Sequence, residues 1–427
     1  MLDHRPDEEF AKSLDGEDPL RGFRERFCIP AAPDGQPVVY FCGNSLGLLP
    51  AEGRRLAQEE LDAWAEFGVD GHFKGRRPWY SYHEQFRDRG ARLVGARPGE
   101  VVMMNSLTVN LHLMMVTFYR PTQQRYKVLI ESPTFPSDLY AIETQIRHHG
   151  FDPADALVTL QPREGEHHIH TADVEGLLED HGDQIALALL AGVNFNTGQV
   201  LDMPRIADVA RREGCVFGLD LAHAVGNVPL SLHDWGIDFA VWCNYKYLNS
   251  GPGAIGGCFV HERHGKNLDL PRFAGWWGND PATRFEMHRR LDFIPQTGAD
   301  GWQISNPPIL SAAPLLASLA LFDEAGMEAL RSKSIKLTGY LEYLLDGIEG
   351  RRFEIITPRD PAARGCQLSI LVHDDPRGLY KTLRDENIVV DFREPNVIRI
   401  APVPLYNTFH EVWRFAEVLA NRSEPRP

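Results

Sequence analysis

The chain has 427 residues, 43% of them hydrophobic and 24% charged, which is typical of a globular protein too long for a single hydrophobic core. Its formal net charge is −15 and it has no long basic block, which argues against a nucleic acid or an anionic membrane as a partner. The acidic N-terminus lacks the apolar region of a secretory signal, and no apolar run is long enough to span a membrane.

The six cysteines are scattered along the chain without a C-x-x-C pair, and most lie within apolar runs. This pattern is typical of reduced core cysteines and gives no reason to expect a metal site. We therefore expect a cytoplasmic protein that divides into two domains and binds no metal ion.

In chain order, the first two thirds of the sequence alternate between helical and β-type runs. Residues 105–110, four of which are polar, precede a helical run at 111–118. The further runs are a strand at 127–131, a helix at 138–149, a strand at 185–192, a helix at 204–213, and strands at 215–219, 238–243 and 254–261. Strands that alternate with helices predict an α/β fold with a mostly parallel sheet covered on both faces.

After Pro307 and Pro308 the pattern changes. Helical segments at 310–322 and 327–350 precede short strands at 353–356, 368–372 and 397–400, with a helix between the last two. This order indicates a smaller α+β domain. We predict an N-terminal arm (1–40) that joins the small domain, a large domain (41–308) and a small C-terminal domain (309–427).

Two strands of the predicted sheet end near residues of complementary chemistry. Asp220 follows the apolar run 215–219, and Lys246 follows the run 238–243. Pyridoxal 5'-phosphate (PLP) needs a lysine for its Schiff base and an anion that keeps its ring nitrogen protonated. Alone, the lysine could be a solvated surface charge and the aspartate a helix cap. Together they favour a PLP site.

A G-x-G-x-x-G pattern at residues 251–256 resembles a dinucleotide-binding loop. That loop requires a strand before it and a helix after it, whereas the residues that follow here have the pattern of a strand. We therefore interpret these glycines as a tight turn or a close backbone approach.

Four further features are compatible with a PLP site, and each has a structural alternative. Residues 105–110 before a helix could bind a phosphate or form an ordinary N-cap. Phe135 could stack on the pyridine ring or staple the next helix. His223 could lie beside the ring or be a satisfied polar residue. Arg399, within a buried strand, could clamp a substrate carboxylate or form a structural ion pair.

Seven segments taken together resemble the kynureninase family. They are residues 43–47 (GNSLG), 105–112, 135–138 (FPSD), 220–227 (DLAHAVGN), 245–249 (YKYLN), 305–308 (SNPP) and 399–402 (RIAP). The resemblance implies a PLP-dependent transferase fold of type I, that of the aspartate aminotransferase superfamily. It implies a large domain with a mostly parallel seven-stranded sheet, and a homodimer with active sites at the subunit interface.

The resemblance also implies roles for individual residues. Lys246 is expected to form the Schiff base and to move protons, Asp220 to pair with the ring nitrogen, and Tyr245 to contact the phosphate. The expected cofactor-binding residues are Leu107, Thr108, Phe135, Pro136, Ser137, Asp138, Asp220, His223, Tyr245, Lys246, Trp276 and Asn306. The expected substrate-binding residues are His72, Asn306 and Arg399. Ala191 departs from the pattern of those relatives that have a serine there, and the resemblance therefore implies the loss of one hydroxyl near the cofactor.

The activity that the resemblance implies is hydrolytic Cβ–Cγ cleavage of L-kynurenine to anthranilate and L-alanine. The same reaction on 3-hydroxy-L-kynurenine gives 3-hydroxyanthranilate, and both belong to tryptophan catabolism and NAD biosynthesis. Three alternatives stay open: a class V transaminase, a cysteine desulfurase, and a non-catalytic PLP-binding or interaction protein. A desulfurase needs a mobile catalytic cysteine, which the cysteines in apolar runs do not suggest.

Overall fold

The computed structural model describes residues 4–423, so residues 1–3 of the predicted N-terminal arm and residues 424–427 lie outside the described range. The α-helices are α1 (Glu8–Glu17), α2 (Ala51–Phe67), α3 (Arg87–Val94), α4 (Leu107–Phe118), α5 (Pro136–His148), α6 (Pro153–Ala156), α7 (Thr171–His181), α8 (Met203–Arg212), α9 (Leu232–Trp235), α10 (Glu262–Gly265), α11 (Ile309–Ala325), α12 (Met327–Asp346), α13 (Pro376–Asp385) and α14 (Phe409–Ser423). Short 3-10 segments lie at Arg21–Arg26, Gly68–His72, Trp79–Phe86, Pro98–Glu100, Arg284–Glu286, Ala299–Trp302 and Pro361–Ala363.

The strands form one large sheet, one smaller sheet and two short pairs. They are β1 (Phe27–Cys28), β2 (Val39–Tyr40), β3 (Leu49–Pro50), β4 (Val101–Met103), β5 (Lys127–Glu131), β6 (Leu157–Leu160), β7 (Ile185–Ala191), β8 (Val216–Asp220), β9 (Phe239–Cys243), β10 (Gly256–Val260), β11 (Phe353–Ile355), β12 (Leu368–Val372), β13 (Ile388–Val389), β14 (Asp391–Arg393) and β15 (Val397–Ile400).

The large sheet has seven strands in the order β4-β10-β9-β8-β7-β5-β6. Only β10 is antiparallel to its neighbours, and the pairings among β9, β8, β7, β5 and β6 are all parallel. The predicted mostly parallel seven-stranded sheet is therefore confirmed. Because parallel strands end at one edge, the residues at the carboxyl ends of β5, β7, β8 and β9 meet there, as expected for an α/β ligand site.

The five predicted strands of this sheet are present, but its two outer strands were missed. These are β4, with three residues, and β6, whose side chains are partly exposed. Neither is long enough or regular enough to give a period-2 signal. The prediction was also wrong about the start of α4, which begins at Leu107 rather than residue 111. Buried Asn110 lies within α4 and donates to the Met104 carbonyl oxygen, so a polar residue there does not mark a loop.

The turn before β10 explains the glycines of the G-x-G-x-x-G pattern. Gly251 and Gly253 have φ angles of 89° and 71°, in the region that side chains other than glycine rarely adopt. The chain continues from this turn into β10 and not into a helix. The prediction that this pattern is not a dinucleotide-binding loop is consistent with that geometry.

The smaller sheet has the order β11-β12-β15-β14 and is antiparallel throughout. Its apolar side chains form a core with α12, α13 and α14, which also includes Ala11 and Leu14 of α1. The short strand β2 pairs with β13 in the same region. These contacts tie the N-terminal segment to the C-terminal part of the chain.

The predicted domain division at residues 40/41 and 308/309 stays a prediction. Side chains of α11, among them Ala312 and Leu319, pack in the core of the large sheet, whereas Leu337 and later residues of α12 pack in the core of the smaller sheet. We therefore propose that the second boundary lies within α12, near Leu330.

Within residues 4–423, no single helix is both long and apolar enough to cross a membrane. The pair α11 and α12, bent by 82° at its junction, meets the length and composition criteria only when the two helices are taken together.

Candidate active site

Lys246 and Asp220 lie at the carboxyl edge of the large sheet. Asp220 is the last residue of β8, and Lys246 follows the end of β9 by three residues. The two strands are parallel neighbours, with Asp220 opposite Val241. Both side chains are buried, at 8% and 9% exposure. The strand order therefore brings together the two residues that the sequence singled out.

The loop that carries Lys246 is held closely by its neighbours. Asn244 is fully buried and donates to the carbonyl oxygen of Ile255 at 2.7 Å. The backbone N–H of Gly47 donates to the carbonyl oxygen of Tyr245 at 2.8 Å. A Cβ at Gly47 would lie 2.3 Å from the carbonyl oxygen of Lys246. Only glycine permits this approach, so the segment 43–47 supports the lysine loop.

The amine of Lys246 has two polar or aromatic neighbours. Its Nζ lies 3.0 Å from Nε2 of His223 and 5.7 Å from the centre of the Phe135 ring. Burial, and then the charge of Lys246, lower the pKa of His223 well below its usual value. His223 is therefore neutral at physiological pH, and its Nδ1 is a buried atom with no hydrogen-bond partner.

Three carboxyl groups, those of Asp138, Asp220 and Glu131, lie close to one another. Asp138, in the first turn of α5, shares a hydrogen bond with Asp220. Burial, and then the negative charge of Asp220, raise the pKa of Asp138 well above its usual value, so Asp138 is the member of the pair that carries the proton. Its Oδ1 is buried and has no partner.

Glu131 is the third carboxyl group, and the sequence analysis missed it. It ends β5, is 3% exposed, and its Oε2 accepts a 3.3 Å hydrogen bond from the backbone N–H of Ala191. Ala191 ends β7, opposite Asp220 on β8. Burial raises the pKa of Glu131 to about 7, and Asp220 adds to the shift. A carboxylate that ends an apolar run, as Asp220 does, was the available signal.

Glu131→Gln is expected to remove a pH dependence of stability. The pKa of Glu131 in the folded chain exceeds its ordinary value of 4.5. Its stabilising contribution to the free energy of unfolding is therefore complete below pH 4.5 and is lost as the pH rises through 7. Between pH 5 and pH 8 this loss is about 2.5 kcal/mol, or about 3 °C in the thermal midpoint of a chain of this length. Thermal unfolding of both cofactor-free proteins at these pH values measures it. A parallel decline of both midpoints would contradict the assignment.

Two helix N-termini converge on the same edge of the sheet. Thr108 is in the first turn of α4 and Ser137 in the first turn of α5, and their hydroxyl oxygens lie 2.9 Å apart. Neither Ser106 nor Phe135 caps its helix with a side-chain hydrogen bond, so the backbone N–H groups of Thr108 in α4 and Ser137 in α5 stay available. Such N–H groups and the helix dipoles favour an anion, which fits the phosphate of PLP.

Tyr245, next to Lys246, is half-buried. Burial, and then the neighbouring Cys243, raise the pKa of its phenol above the usual value, with smaller effects of Asp220 and Asp138. The phenol therefore stays protonated and can donate a hydrogen bond.

Arg399 joins this group through a loop between β7 and α8. It is fully buried on β15, its Nε donates to Asp391 Oδ1 at 3.0 Å, and its Nη1 donates to the carbonyl oxygen of Phe195 at 2.6 Å. The Phe195 ring packs edge-on against Phe135, with 5.4 Å between ring centres. Nη2 lies 2.9 Å from Asp391 Oδ1 but is buried without a hydrogen bond of acceptable geometry. The ion-pair alternative is thus present, yet one donor stays unused.

His72 and Trp276 belong to a second group, formed by aromatic rings. His72 packs edge-on against Trp79 at 5.4 Å, and Trp276 lies 6.2 Å from Phe285. Phe285 also contacts Phe73, the neighbour of His72 in sequence. Asn306 is exposed. Among the described residues, no hydrogen bond, ion pair or ring contact directly joins this aromatic group to the group around Lys246.

Within residues 4–423, one set of three potential metal ligands has ligand atoms within 4.8 Å of one another: Glu100, His233 and His261. Glu100 already uses both oxygens. Oε1 accepts from the N–H of Glu262 at 2.8 Å and lies 2.9 Å from His233 Nδ1, and Oε2 accepts from the N–H of Arg97. These bonds explain the cluster as a link among three segments, at residues 97–100, 233 and 262. The expectation of no metal ion stays a prediction.

The PLP prediction agrees with the chemistry of the group around Lys246. His223 Nδ1, Asp138 Oδ1 and Arg399 Nη2 are buried atoms without a hydrogen bond, on residues linked by contacts or charge interactions to Lys246 and Asp220. Buried polar atoms without partners are rare in folded proteins and need an explanation. A bound aromatic cofactor with an anionic group, together with a carboxylate-bearing substrate, would supply such partners.

Comparisons with known proteins point to one family. A family described as the kynureninase C-terminal domain matches residues 330–419. The chain is 56% identical over 412 residues to kynureninase of Myxococcus xanthus, and 54% identical over 410 residues to kynureninase of Koribacter versatilis. Each alignment covers 96% of both chains.

Solved structures show the same fold at low sequence identity. Cysteine desulfurase from Thermococcus onnurineus aligns with a TM-score of 0.70 and 18% identity, covering 96% of this chain and 97% of its own. A C-DES mutant with glycine covalently linked to its PLP cofactor aligns with a TM-score of 0.76 and 17% identity, covering 93% and 98% of the two chains. At such identities the likeness concerns the fold alone.

Proposed function

The chain belongs to the kynureninase family of PLP-dependent hydrolases, and we propose that it cleaves the Cβ–Cγ bond of L-kynurenine to give anthranilate and L-alanine. The observation that carries this proposal is the buried group of Lys246, His223 and Asp220 in a chain 56% identical to a kynureninase. We also propose a cytoplasmic location and a role in tryptophan catabolism or NAD biosynthesis.

Each part of the cofactor has residues suited to hold it. Lys246 would bind it covalently, Asp220 would pair with its ring nitrogen, and Phe135 would cover one face of its ring. Its phosphate would lie at the N-termini of α4 and α5, near Thr108, Ser137 and the phenol of Tyr245. The remaining proposed cofactor residues are Leu107, Pro136, Asp138, His223, Trp276 and Asn306. When bound, PLP supplies a protonated aromatic ring that accepts electrons from the carbons next to the substrate nitrogen.

The side chains of this chain then hold the substrate and move protons. Arg399 would bind the α-carboxylate through the Nη2 that has no other hydrogen bond. Lys246 would remove and return the proton at Cα, and neutral His223 beside Nζ can accept a hydrogen bond from it. The protonated phenol of Tyr245 would donate to oxygen atoms that become negative during cleavage.

We propose a homodimer in which the partner supplies part of each site. The aromatic group of His72 and Trp276 has no direct polar or ring contact with the Lys246 group within the described part of one chain. Large apolar side chains in the segments 69–73 and 273–294, which contain His72 and Trp276, are exposed, namely Val69, Phe73, Phe273, Phe285, Leu291 and Ile294. Exposed apolar side chains in such number are typical of an interface between subunits. Sedimentation with the cofactor bound tests this, and a monomer would contradict it.

We propose that 3-hydroxy-L-kynurenine is also a substrate, with His72 and Asn306 as partners of its ring hydroxyl. Asn306→Leu should then lower kcat/KM for the hydroxylated substrate about tenfold more than for L-kynurenine, because a buried hydroxyl without a partner costs about 1–3 kcal/mol. Steady-state kinetics with both substrates measures this. Equal losses on the two substrates would contradict the role of Asn306.

The proposed activity is tested with purified protein, PLP and L-kynurenine. Anthranilate fluorescence and alanine release should rise together in equal amounts, without any keto acid. A class V transaminase would instead need a keto acid and convert the cofactor to its amine form. Bound PLP without either product would retain the fold and overturn the proposed substrate.

The cysteines do not favour the desulfurase alternative. Five of the six are buried, and Cys28 is partly exposed. Burial raises the pKa of Cys215 to about 11 and that of Cys366 to about 12, so their thiols stay protonated and poorly nucleophilic. Release of sulfide from cysteine should therefore be negligible beside kynurenine cleavage.

A further inference from the structure

Glu60 is a buried carboxylate outside the set of residues proposed to hold the cofactor and the substrate. It lies on α2, is 2% exposed, and faces three donors. Arg77 Nε donates to it at 2.6 Å, the indole N–H of Trp79 at 3.0 Å, and the hydroxyl of Tyr82 at 3.2 Å. A charge this deeply buried persists only when it is paired and fully hydrogen-bonded. Glu60 therefore fixes the places of the three side chains around it.

Trp79, which Glu60 holds in place, packs in turn against His72. The two rings pack edge-on, with 5.4 Å between centres and an interplanar angle of 81°. A Cβ at the neighbouring Gly71 would lie 2.7 Å from Cη2 of Trp79, so the indole lies directly against the backbone of the 68–72 segment. The indole thus limits where the backbone and the imidazole can lie.

The backbone selects the tautomer of His72. Its Nδ1 lies 3.0 Å from the carbonyl oxygen of Val69. A carbonyl oxygen only accepts, so Nδ1 carries a proton, and in the neutral imidazole Nε2 is then an acceptor. An acceptor at this place would bind a hydroxyl or amino group of a substrate ring, and would not bind a ring substituent that only accepts.

We propose that Glu60 is a positioning residue which, through the indole N–H of Trp79, holds His72 with Nε2 ready to accept a hydrogen bond from a donor group on the substrate's aryl ring. This inference rests on the proposed function, because it assumes that His72 meets an aryl ring. It assigns to Glu60 and Trp79 a share in the choice between substrates that differ only in a ring hydroxyl.

The test compares two variants that each remove one donor from Glu60. Trp79→Phe removes the indole N–H that donates to Glu60. Tyr82→Phe removes a hydroxyl that donates to the same carboxylate, but within residues 4–423 the Tyr82 ring has no stacking contact with His72. Trp79→Phe should lower kcat/KM for 3-hydroxy-L-kynurenine about five- to tenfold, mainly through KM, and that for L-kynurenine about twofold or less. Tyr82→Phe should leave the ratio of the two substrates unchanged.

Glu60→Gln distinguishes an effect of the carboxylate from an effect of indole packing alone. It keeps the shape of the side chain but places an amide N–H₂ among donors, so it should change the substrate ratio in the same direction as Trp79→Phe. If Trp79→Phe alone changes the ratio of kcat/KM for the two substrates, packing explains the effect and the proposed role of Glu60 is wrong. Equal changes in the ratio for Trp79→Phe and Tyr82→Phe would also overturn it.

A measurement that needs no turnover distinguishes failure of this inference from failure of the proposed function. Nitrogen-15 shifts of His72 in the holoenzyme, assigned with His72→Gln, should show a protonated Nδ1. In Trp79→Phe and Glu60→Gln, but not in Tyr82→Phe, a mixture of tautomers should appear. A protonated Nε2 in the wild type, or unchanged shifts in all variants, overturns the inference whatever the activity. Expected shifts without product formation would overturn the proposed substrate only.

Discussion

Lys246→Ala is expected to lower kcat/KM for L-kynurenine by about 10³-fold or more, because the change removes both the cofactor's attachment point and a proton-transfer group. The amine lies 3.0 Å from His223 and is buried at the edge of the sheet, where a water molecule is poorly placed to replace it. Anthranilate fluorescence measures the rate. Borohydride reduction followed by peptide mass analysis should find the cofactor on the Lys246 peptide of the wild type and on no peptide of the variant.

Lys333 provides a matched control for this change. It is also a buried lysine, and its Nζ pairs with Asp18 at 2.7 Å, in contact with neither proposed group of site residues. Lys333→Met should lower the thermal midpoint and keep kcat/KM close to the wild-type value. If both lysine variants lost activity in proportion to their stability, the special role of Lys246 would be contradicted.

Arg399→Lys is expected to lower kcat/KM by about 10²- to 10³-fold, mostly by raising KM. The guanidinium uses Nε for Asp391 and Nη1 for Phe195, which leaves Nη2 for a carboxylate. A lysine ammonium is a single point charge and cannot hold all three partners at once. The loss of two charge-assisted hydrogen bonds at about 1.5–3 kcal/mol each accounts for the magnitude. Steady-state kinetics with L-kynurenine measures it.

Arg393 is the control for Arg399, because both arginines pair with the same carboxylate. Its Nε lies 2.8 Å from Asp391 Oδ1, but its side chain is 38% exposed. Arg393→Lys should leave KM nearly unchanged. A similar rise of KM in both variants would show that Asp391, rather than contact of Arg399 with substrate, explains the effect.

Local sequence patterns were sufficient for the strands of the sheet's centre and for the residues at their ends. Apolar runs that end in Asp220 and shortly before Lys246 are visible without any tertiary information, since each strand is buried on both faces. The short outer strand β4 and the partly exposed β6 gave no such signal. The resemblance to one family then assigned chemistry to positions that periodicity cannot distinguish.

Tertiary structure alone placed Glu131 beside Ala191 and near Asp220, paired Arg399 with Asp391, and connected Glu60 through Trp79 to His72. The order of strands in the sheet is not their order in the chain, so β5 and β8 become neighbours of β7 only through folding. Hydrogen bonds and buried charges depend on these distant neighbours, and the same carboxyl group has a different pKa in each surrounding. Sequence pattern thus identified the fold and the lysine–aspartate pair, whereas protonation states, partners and the two separate residue groups depend on long-range contacts.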